Sequence, residues 1–97
     1  MKRTTKSVQD AFAETGVNIR TWRILYELKA VQVAERAGIS LGTLHKIEKG
    51  DSTVSVAAFL EVLRSLGILD AMTESLNPLN SDLGRARLNE NLPRRVR

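Results

Sequence analysis

The sequence predicts an all-α fold, a compact domain of five short helices with a short N-terminal arm and an extended C-terminal tail. Three observations carry that reading. Apolar residues recur three and four positions apart through most of the chain, the spacing that lines one face of a helix. No stretch alternates apolar and polar residues as a half-buried strand does. Gly16, Gly38, Gly50 and Gly67 divide the chain into helix-length pieces. At 97 residues, 42 % of them hydrophobic, the chain supports one core and is too short for two. Its aromatics are few (Phe12, Trp22, Tyr26 and Phe59), so that core must be built from Leu, Val, Ile and Ala.

Residues 1–16 open as a polar, basic arm and then read VQDAFAETG, where Val8, Ala11 and Phe12 fall at helical spacing before Gly16. A short helix stopped by Gly16 and a frayed arm fit this stretch equally. Asn18 is placed to cap a piece running to about Leu28, with Ile19, Trp22, Leu25, Tyr26 and Leu28 on its apolar side. In KAVQVAERAG, Val33, Ala34 and Ala37 share a face, and Gly38 sits where a left-handed residue closes a helix. Ser40 then caps LGTLHKIEK, with Leu44 and Ile47 inward and Gly50 at its end. Ser55 caps VAAFLEVLRSL, whose Val56, Phe59, Leu60, Leu63 and Leu66 keep the helical period up to Gly67. ILDAMTESL is the last helix, stopped by Asn77-Pro78. The chain thus divides into an arm (1–16), a domain (17–76) and a basic tail (77–97), in which only Leu79, Leu83, Leu88, Leu92 and Val96 are large and apolar.

Charge and residue usage narrow the function. The net charge of +4 is unevenly placed: residues 1–6 carry +3, residues 85–97 carry +4, and residues 7–84 carry −3. An anionic partner fits the two ends, whereas a uniformly basic face does not fit the middle. The absence of cysteine excludes disulfides and thiolate metal sites. One histidine, no Gly-rich phosphate loop and no clustered carboxylates argue against an enzyme, a metal and a cofactor. No run approaches the roughly 18 apolar residues of a membrane span. MKRTTKSVQD also lacks the apolar region of a secretory signal. The expected location is the cytoplasm.

AERA-GIS-LGTLHKIEKG has the sequence form of a helix-turn-helix, two short helices joined by a tight Gly-containing turn. Ala34 lets the helices approach, Gly38 permits the turn, and Ile39 and Leu44 seal the angle between them. Leu41, Gly42, Thr43, His45, Lys46 and Lys49 project from the second helix, which has the width of the B-DNA major groove. From spacing alone, an ordinary helical hairpin in a small bundle fits the same residues.

Beyond spacing, VAERAGISLGTLHKIEKGDSTVSVAAFLEVLRSLGI resembles the core of the XRE, or phage-repressor-like, helix-turn-helix family, the likeness running from about Ile19 to Ile68. It rests on Arg23, VAERAGIS across the turn, LHKIEKG in the second helix and the helix ending SLG. The resemblance implies a buried salt bridge between Arg23 and Glu48, and DNA-facing roles for positions 41, 42, 43, 45 and 46. Leu41 and Gly42 replace the polar or basic residues common in that family, and Ala30 stands where a glutamine usually opens the preceding helix, with Gln32 two residues on. Leu41 is suited to a thymine methyl and Gly42 to close backbone approach, but neither side chain reads base edges by hydrogen bonds. Readout then falls on His45 and Lys46, with Thr43 and Lys49 on phosphates.

The C-terminal part, LGILD followed by LNPLNSDLGR and LPRRVR, is similar to HipB-like antitoxins encoded beside HipA-like kinase toxins. That resemblance implies a dimeric repressor of its own operon, bound to a double-stranded DNA operator and to a HipA-like kinase toxin. A dimer also has its own rationale, since two copies one DNA turn apart double the contacts of a small domain. Ile68, Leu69, Met72 and Leu76 form a stripe suited to a two-fold interface or, equally for Leu69 and Met72, to the chain's own core. The other reading is a protein-interaction module that keeps the helix-turn-helix as a scaffold and binds DNA with little specificity. The acidic middle, Leu41 and Gly42 favour it.

Overall fold

A computed structural model describes residues 4–91. They form α1 (Lys6–Leu25), α2 (Ala30–Ala37), α3 (Leu41–Glu48), α4 (Val56–Ser65), α5 (Leu69–Ser75), a 3-10 turn (Pro78–Asn80) and α6 (Asp82–Asn91), with no strand among the described residues. Lys2, Arg3, Arg94, Arg95 and Arg97, five of the eight basic residues of the two ends, lie outside the described residues, as do Leu92 and Val96. The described residues hold six α-helices rather than five; the C-terminal end supplies the added one, and the N-terminal end lengthens the first.

At the N-terminus, one 20-residue helix replaces the expected arm and separate helix. Thr5 starts it, its Oγ1 accepting from the Val8 N–H at 3.2 Å. Gly16 does not stop α1; it lies buried in its middle. A Cβ on Gly16 would stand 2.5 Å from the Glu48 carbonyl oxygen and 2.7 Å from that of Ile47. The glycine is there because the last turn of α3 presses its carbonyls against α1. Its propensity cost, about 1 kcal/mol against alanine, is easily carried by a long packed helix.

At the C-terminus, the expected extended tail is helical through residue 91. Asn77 Oδ1 accepts from the Leu79 N–H at 2.9 Å, and Pro78 opens the 3-10 turn. Ser81 Oγ accepts from the Gly84 N–H at 2.8 Å, and Asp82 pairs with Arg85 within the first turn of α6. Local capping, invisible to a hydrophobic-period reading, forms this helix; it packs chiefly on the 3-10 turn.

Four helices close in the same way. After α2, the Gly38 N–H donates to Glu35 O (3.1 Å) and the Ile39 N–H to Ala34 O (3.0 Å), with Gly38 at φ 70°. The paired bonds of this Schellman motif recur at Gly50 after α3 and Gly67 after α4. After α1 the left-handed residue is Glu27, at φ 57°, with the Leu28 N–H donating to Arg23 O at 3.0 Å. The helix therefore ends at Leu25 and not near Leu28, and the sequence does not show this stop because no glycine marks the turn.

Nine residues make the core: Ile19, Val33, Ala34, Ala37, Leu44, Ile47, Val62, Leu63 and Leu66. α2 packs between α3 and α4, α1 lies on α3, and α5 closes against α4. Ala34 and Ala37 keep α2 close to its neighbours, and Arg64 ties α4 to α2 by donating from Nη2 to the Arg36 carbonyl at 2.8 Å. Of the apolar set read on α1, only Ile19 is buried; Trp22, Leu25 and Tyr26 are 40 %, 66 % and 50 % exposed.

One charged contact crosses this core edge. Arg23 Nε donates to Glu48 Oε2 at 2.7 Å and Nη2 to Oε1 at 3.1 Å, a bidentate fork, while Nη1 donates to the Leu28 carbonyl at 3.1 Å. The side chains are only 13 % and 6 % exposed. Glu48's hydrogen bond, helped by its charge and opposed by burial, raises the Arg23 pKa above an already high ordinary value. The guanidinium stays charged.

Glu48→Ala strands that cation, and we expect thermal or urea unfolding to show a loss of about 3–5 kcal/mol. Gly16→Ala gains helix propensity but drives a methyl into backbone carbonyls that cannot rotate away. Urea titration should show a net loss of about 1–3 kcal/mol; equal or higher stability would contradict the close approach of α1 and α3. Glu27→Gly relieves a left-handed side chain, and calorimetry should show a Tm higher by about 2–5 °C.

Candidate nucleic-acid interface

α2 and α3 meet through the three-residue turn Gly38-Ile39-Ser40, with Val33, Ala34, Ala37, Leu44 and Ile47 buried between them and the rest of the domain. α3 shows the opposite face to solvent. Leu41 is 41 % exposed, Gly42, His45, Lys46 and Lys49 are exposed, and all lie within two turns of helix. A Cβ at Gly42 would meet only the Ser40 hydroxyl, at 3.9 Å, so a flat partner can approach the backbone there. Glu48 lies on the α1 side of the same helix, paired with Arg23 and turned away from this face.

Thr43 differs from the rest of the set. It is half-buried, its N–H donates to Ser40 Oγ at 3.0 Å, and the two hydroxyls are 2.8 Å apart. Its side chain is engaged in starting α3. Gln32 is engaged too, accepting the Lys29 N–H at 2.7 Å through Oε1 and so opening α2. It does not take the place of the glutamine that Ala30 lacks, since its carbonyl is bound to α2's own first turn.

Beside α3 lies an open cavity of about 340 Å³ lined by Ser40, Thr43, Lys46, Thr53 and Ser55, with Ile39, Val54 and Ala58 at its floor. Two helices start at this cavity. Ser40 caps α3, and Ser55 caps α4 by accepting the Ala58 N–H at 3.1 Å. Each cap satisfies one N–H and leaves the first N–H groups of its helix without intrahelical partners, so the positive ends of two helix dipoles lie at one concavity that Lys46 also lines. Such a concavity has the chemistry of a phosphate seat. The Asp51 carboxylate is tied into its own loop: Oδ1 accepts from the Thr53 N–H at 2.8 Å and from its hydroxyl at 2.6 Å. Those bonds, with Lys46 nearby, hold Asp51 below the usual carboxylate range. Thr53 and Ser55 escape a sequence reading of the site because they lie outside the helix pair. The cap signal at Ser55 is legible; that it opens beside Lys46 is not.

The interface set divides. Ile68, Leu69 and Met72 pack against the core as partly buried residues, while Leu76 is 74 % exposed. The α5 stripe is therefore mostly an inner face. No three His, Cys, Asp or Glu side chains converge as a metal site among the described residues. No described helix is long and apolar enough to cross a membrane.

A family model described as a helix-turn-helix domain matches residues 14–76, more than half of the chain. Searches of curated proteins and of solved structures returned no match. The matched span contains α2, the Gly38 turn, α3 and the Arg23–Glu48 pair that seats α3 against α1. By that match the chain belongs to the helix-turn-helix domain family, whose DNA-binding members place the second helix of the pair in the major groove.

Proposed function

We propose that this chain is a sequence-specific DNA-binding transcriptional regulator and not an enzyme, working in the cytoplasm as a homodimer on a double-stranded operator. The observation that carries this reading is the pairing of the exposed α3 face with the polar concavity beside it, where two helix N-termini and Lys46 surround one space. With α3 in the major groove, that concavity receives a backbone phosphate and sets the depth of the helix. Lys46, expected from the sequence to read bases, acts on that phosphate instead because it lines the concavity; Lys49 contacts a second phosphate, and His45 and Leu41 face base edges. Gly42 admits the sugar-phosphate wall closely, so the N-terminal end of α3 contributes shape more than hydrogen bonds.

More narrowly, the resemblance of the C-terminal stretch supports a HipB-like antitoxin, a repressor of its own operon that also restrains a HipA-like kinase toxin. A second reading, a protein-interaction module on a helix-turn-helix scaffold, is favoured by one observation: the start of the reading helix presents exposed Leu41 and no side chain at position 42.

A titration against duplex from the protein's own upstream region, at several salt concentrations, separates these readings. We expect a specific complex whose log affinity falls linearly with log salt, by about 0.9 per phosphate neutralised. Lys46→Ala should weaken all duplexes alike, by roughly tenfold, and lower that slope by about one contact. His45→Ala should instead narrow the gap between operator and unrelated duplex, by about 1–3 kcal/mol. Equal, weak binding to every duplex would favour the interaction module. The antitoxin claim requires a kinase encoded alongside that co-purifies with the chain; without one, the protein is an orphan repressor.

A further inference from the structure

The chain has six glycines, and the fold itself requires five of them. Gly38, Gly50 and Gly67 hold a left-handed backbone. A Cβ at Gly16 or Gly84 would run into a backbone carbonyl, that of Glu48 in one case and that of Pro78 in the other. Gly42 answers to neither demand. It is the second residue of α3, its backbone is helical, and a Cβ there would meet only the Ser40 hydroxyl, at 3.9 Å. Alanine would fit, and it would favour a helix of only eight residues, since glycine weakens a helix relative to alanine. Packing within the chain thus gives no reason for the missing side chain, which places the reason in what meets this surface from outside.

The vacancy has a definite chemistry. On the exposed face of α3 the rows Leu41–His45 and Gly42–Lys46 run side by side. Leu41 borders the gap with an apolar side chain that is 41 % exposed. Residues 41 and 42 bring no hydrogen-bonding side chain, the Thr43 hydroxyl is engaged with Ser40, and Lys46 lines the neighbouring concavity. The first turn of α3 therefore offers a shallow notch with an apolar border and the depth of one methyl group. Among the groups that B-DNA shows in its major groove, one kind is apolar: the C5-methyl of a pyrimidine, carried by thymine and by 5-methylcytosine. That methyl stands at the outer margin of the base edge, beside the sugar-phosphate wall of its own strand. The close approach that Gly42 allows to the wall brings the notch onto it.

We propose that the gap left by Gly42, bordered by Leu41, receives the C5-methyl of one pyrimidine in each operator half-site, which makes Gly42 a specificity-determining residue. Such recognition rests on the DNA-binding function proposed above and names what the start of α3 reads. Discrimination there comes from shape and apolar contact, with no hydrogen bond to the base.

Titrations with duplex from the protein's own upstream region test the notch, with deoxyuridine in place of thymidine or 5-methylcytosine in place of cytosine. Deoxyuridine removes the methyl and keeps every hydrogen-bonding group. The wild type should bind the deoxyuridine duplex at least about fourfold more weakly, the effect of burying one methyl. If 5-methylcytosine is the source, the methylated duplex should instead bind at least about fourfold more tightly. Gly42→Ala should melt at or above the wild-type temperature and yet lose at least about fourfold in affinity for the methyl-bearing duplex. With its own methyl in the notch, the variant should no longer distinguish the duplexes, the coupling expected of groups in contact. A wild type indifferent to both replacements overturns the notch, as does a variant that keeps the wild-type affinity or the wild-type preference. A lower melting temperature for Gly42→Ala overturns it too, because the fold would then account for the glycine. In each of these cases, specific binding to the upstream duplex leaves the regulator intact. A wild type that binds upstream and unrelated duplex alike overturns the regulator, and the notch with it.

Discussion

The orientation of α3 depends on how it is seated on α1, and that seat is a largely buried bidentate ion pair beside a missing side chain. Arg23 and Glu48 hold the end of α3 through two hydrogen bonds at 2.7 and 3.1 Å, while Gly16 lets the Ile47 and Glu48 carbonyls rest against α1. Apolar packing by Leu44 and Ile47 brings the helix to the core, but dispersion and the hydrophobic effect are not directional. The fork is directional: its planar geometry sets the rotation of α3 about its own axis, and with it the face that carries His45 and Lys46. The third guanidinium bond, to the Leu28 carbonyl, connects the same side chain to the turn that leads into α2. One arginine thus coordinates α1, the entry to α2 and the end of α3.

That arrangement divides the surface into regions with different chemistry. On one side, α3 and the cavity beside it present hydroxyls, a lysine and two helix N-termini. On another, α1, α4 and α5 leave Trp22, Phe59 and Met72 around an open apolar cavity. A domain this small cannot bury all of its apolar residues. The long α1 makes that shortage concrete, because it has more apolar side chains than the core beneath it can accept, and only Ile19 is fully inside.

The legible parts of the fold were those whose physics is local. Gly38, Gly50 and Gly67 end helices by a left-handed residue, and Ser40 and Ser55 begin them by accepting an N–H three residues on, so α2, α3 and α4 can be read from the chain. Gly16 has the same identity as those glycines and the opposite role, since its purpose lies in a helix 30 residues away. Glu27 closes α1 in a conformation that its side chain disfavours, so no local signal announced it. The turn and helix of residues 77–91 were hidden because their caps act through Asn77 and Ser81, in a stretch whose composition resembles a tail.

The sequence by itself determined α2, the Gly38 turn and α3, because helical period, caps and turn residues act within a few positions of one another. Resemblance, not spacing, told that pair from an ordinary helical hairpin. The sequence also supplied the pairing of Arg23 with Glu48, through resemblance and not through spacing. Only the tertiary structure decided that Thr43 is engaged with Ser40, that Ser55 and Lys46 share one concavity, and that Trp22 and Tyr26 lie outside the core. The physical reason is common to all three. Exposure and convergence are properties of how helices pack, and a residue's own neighbours in sequence do not carry that information.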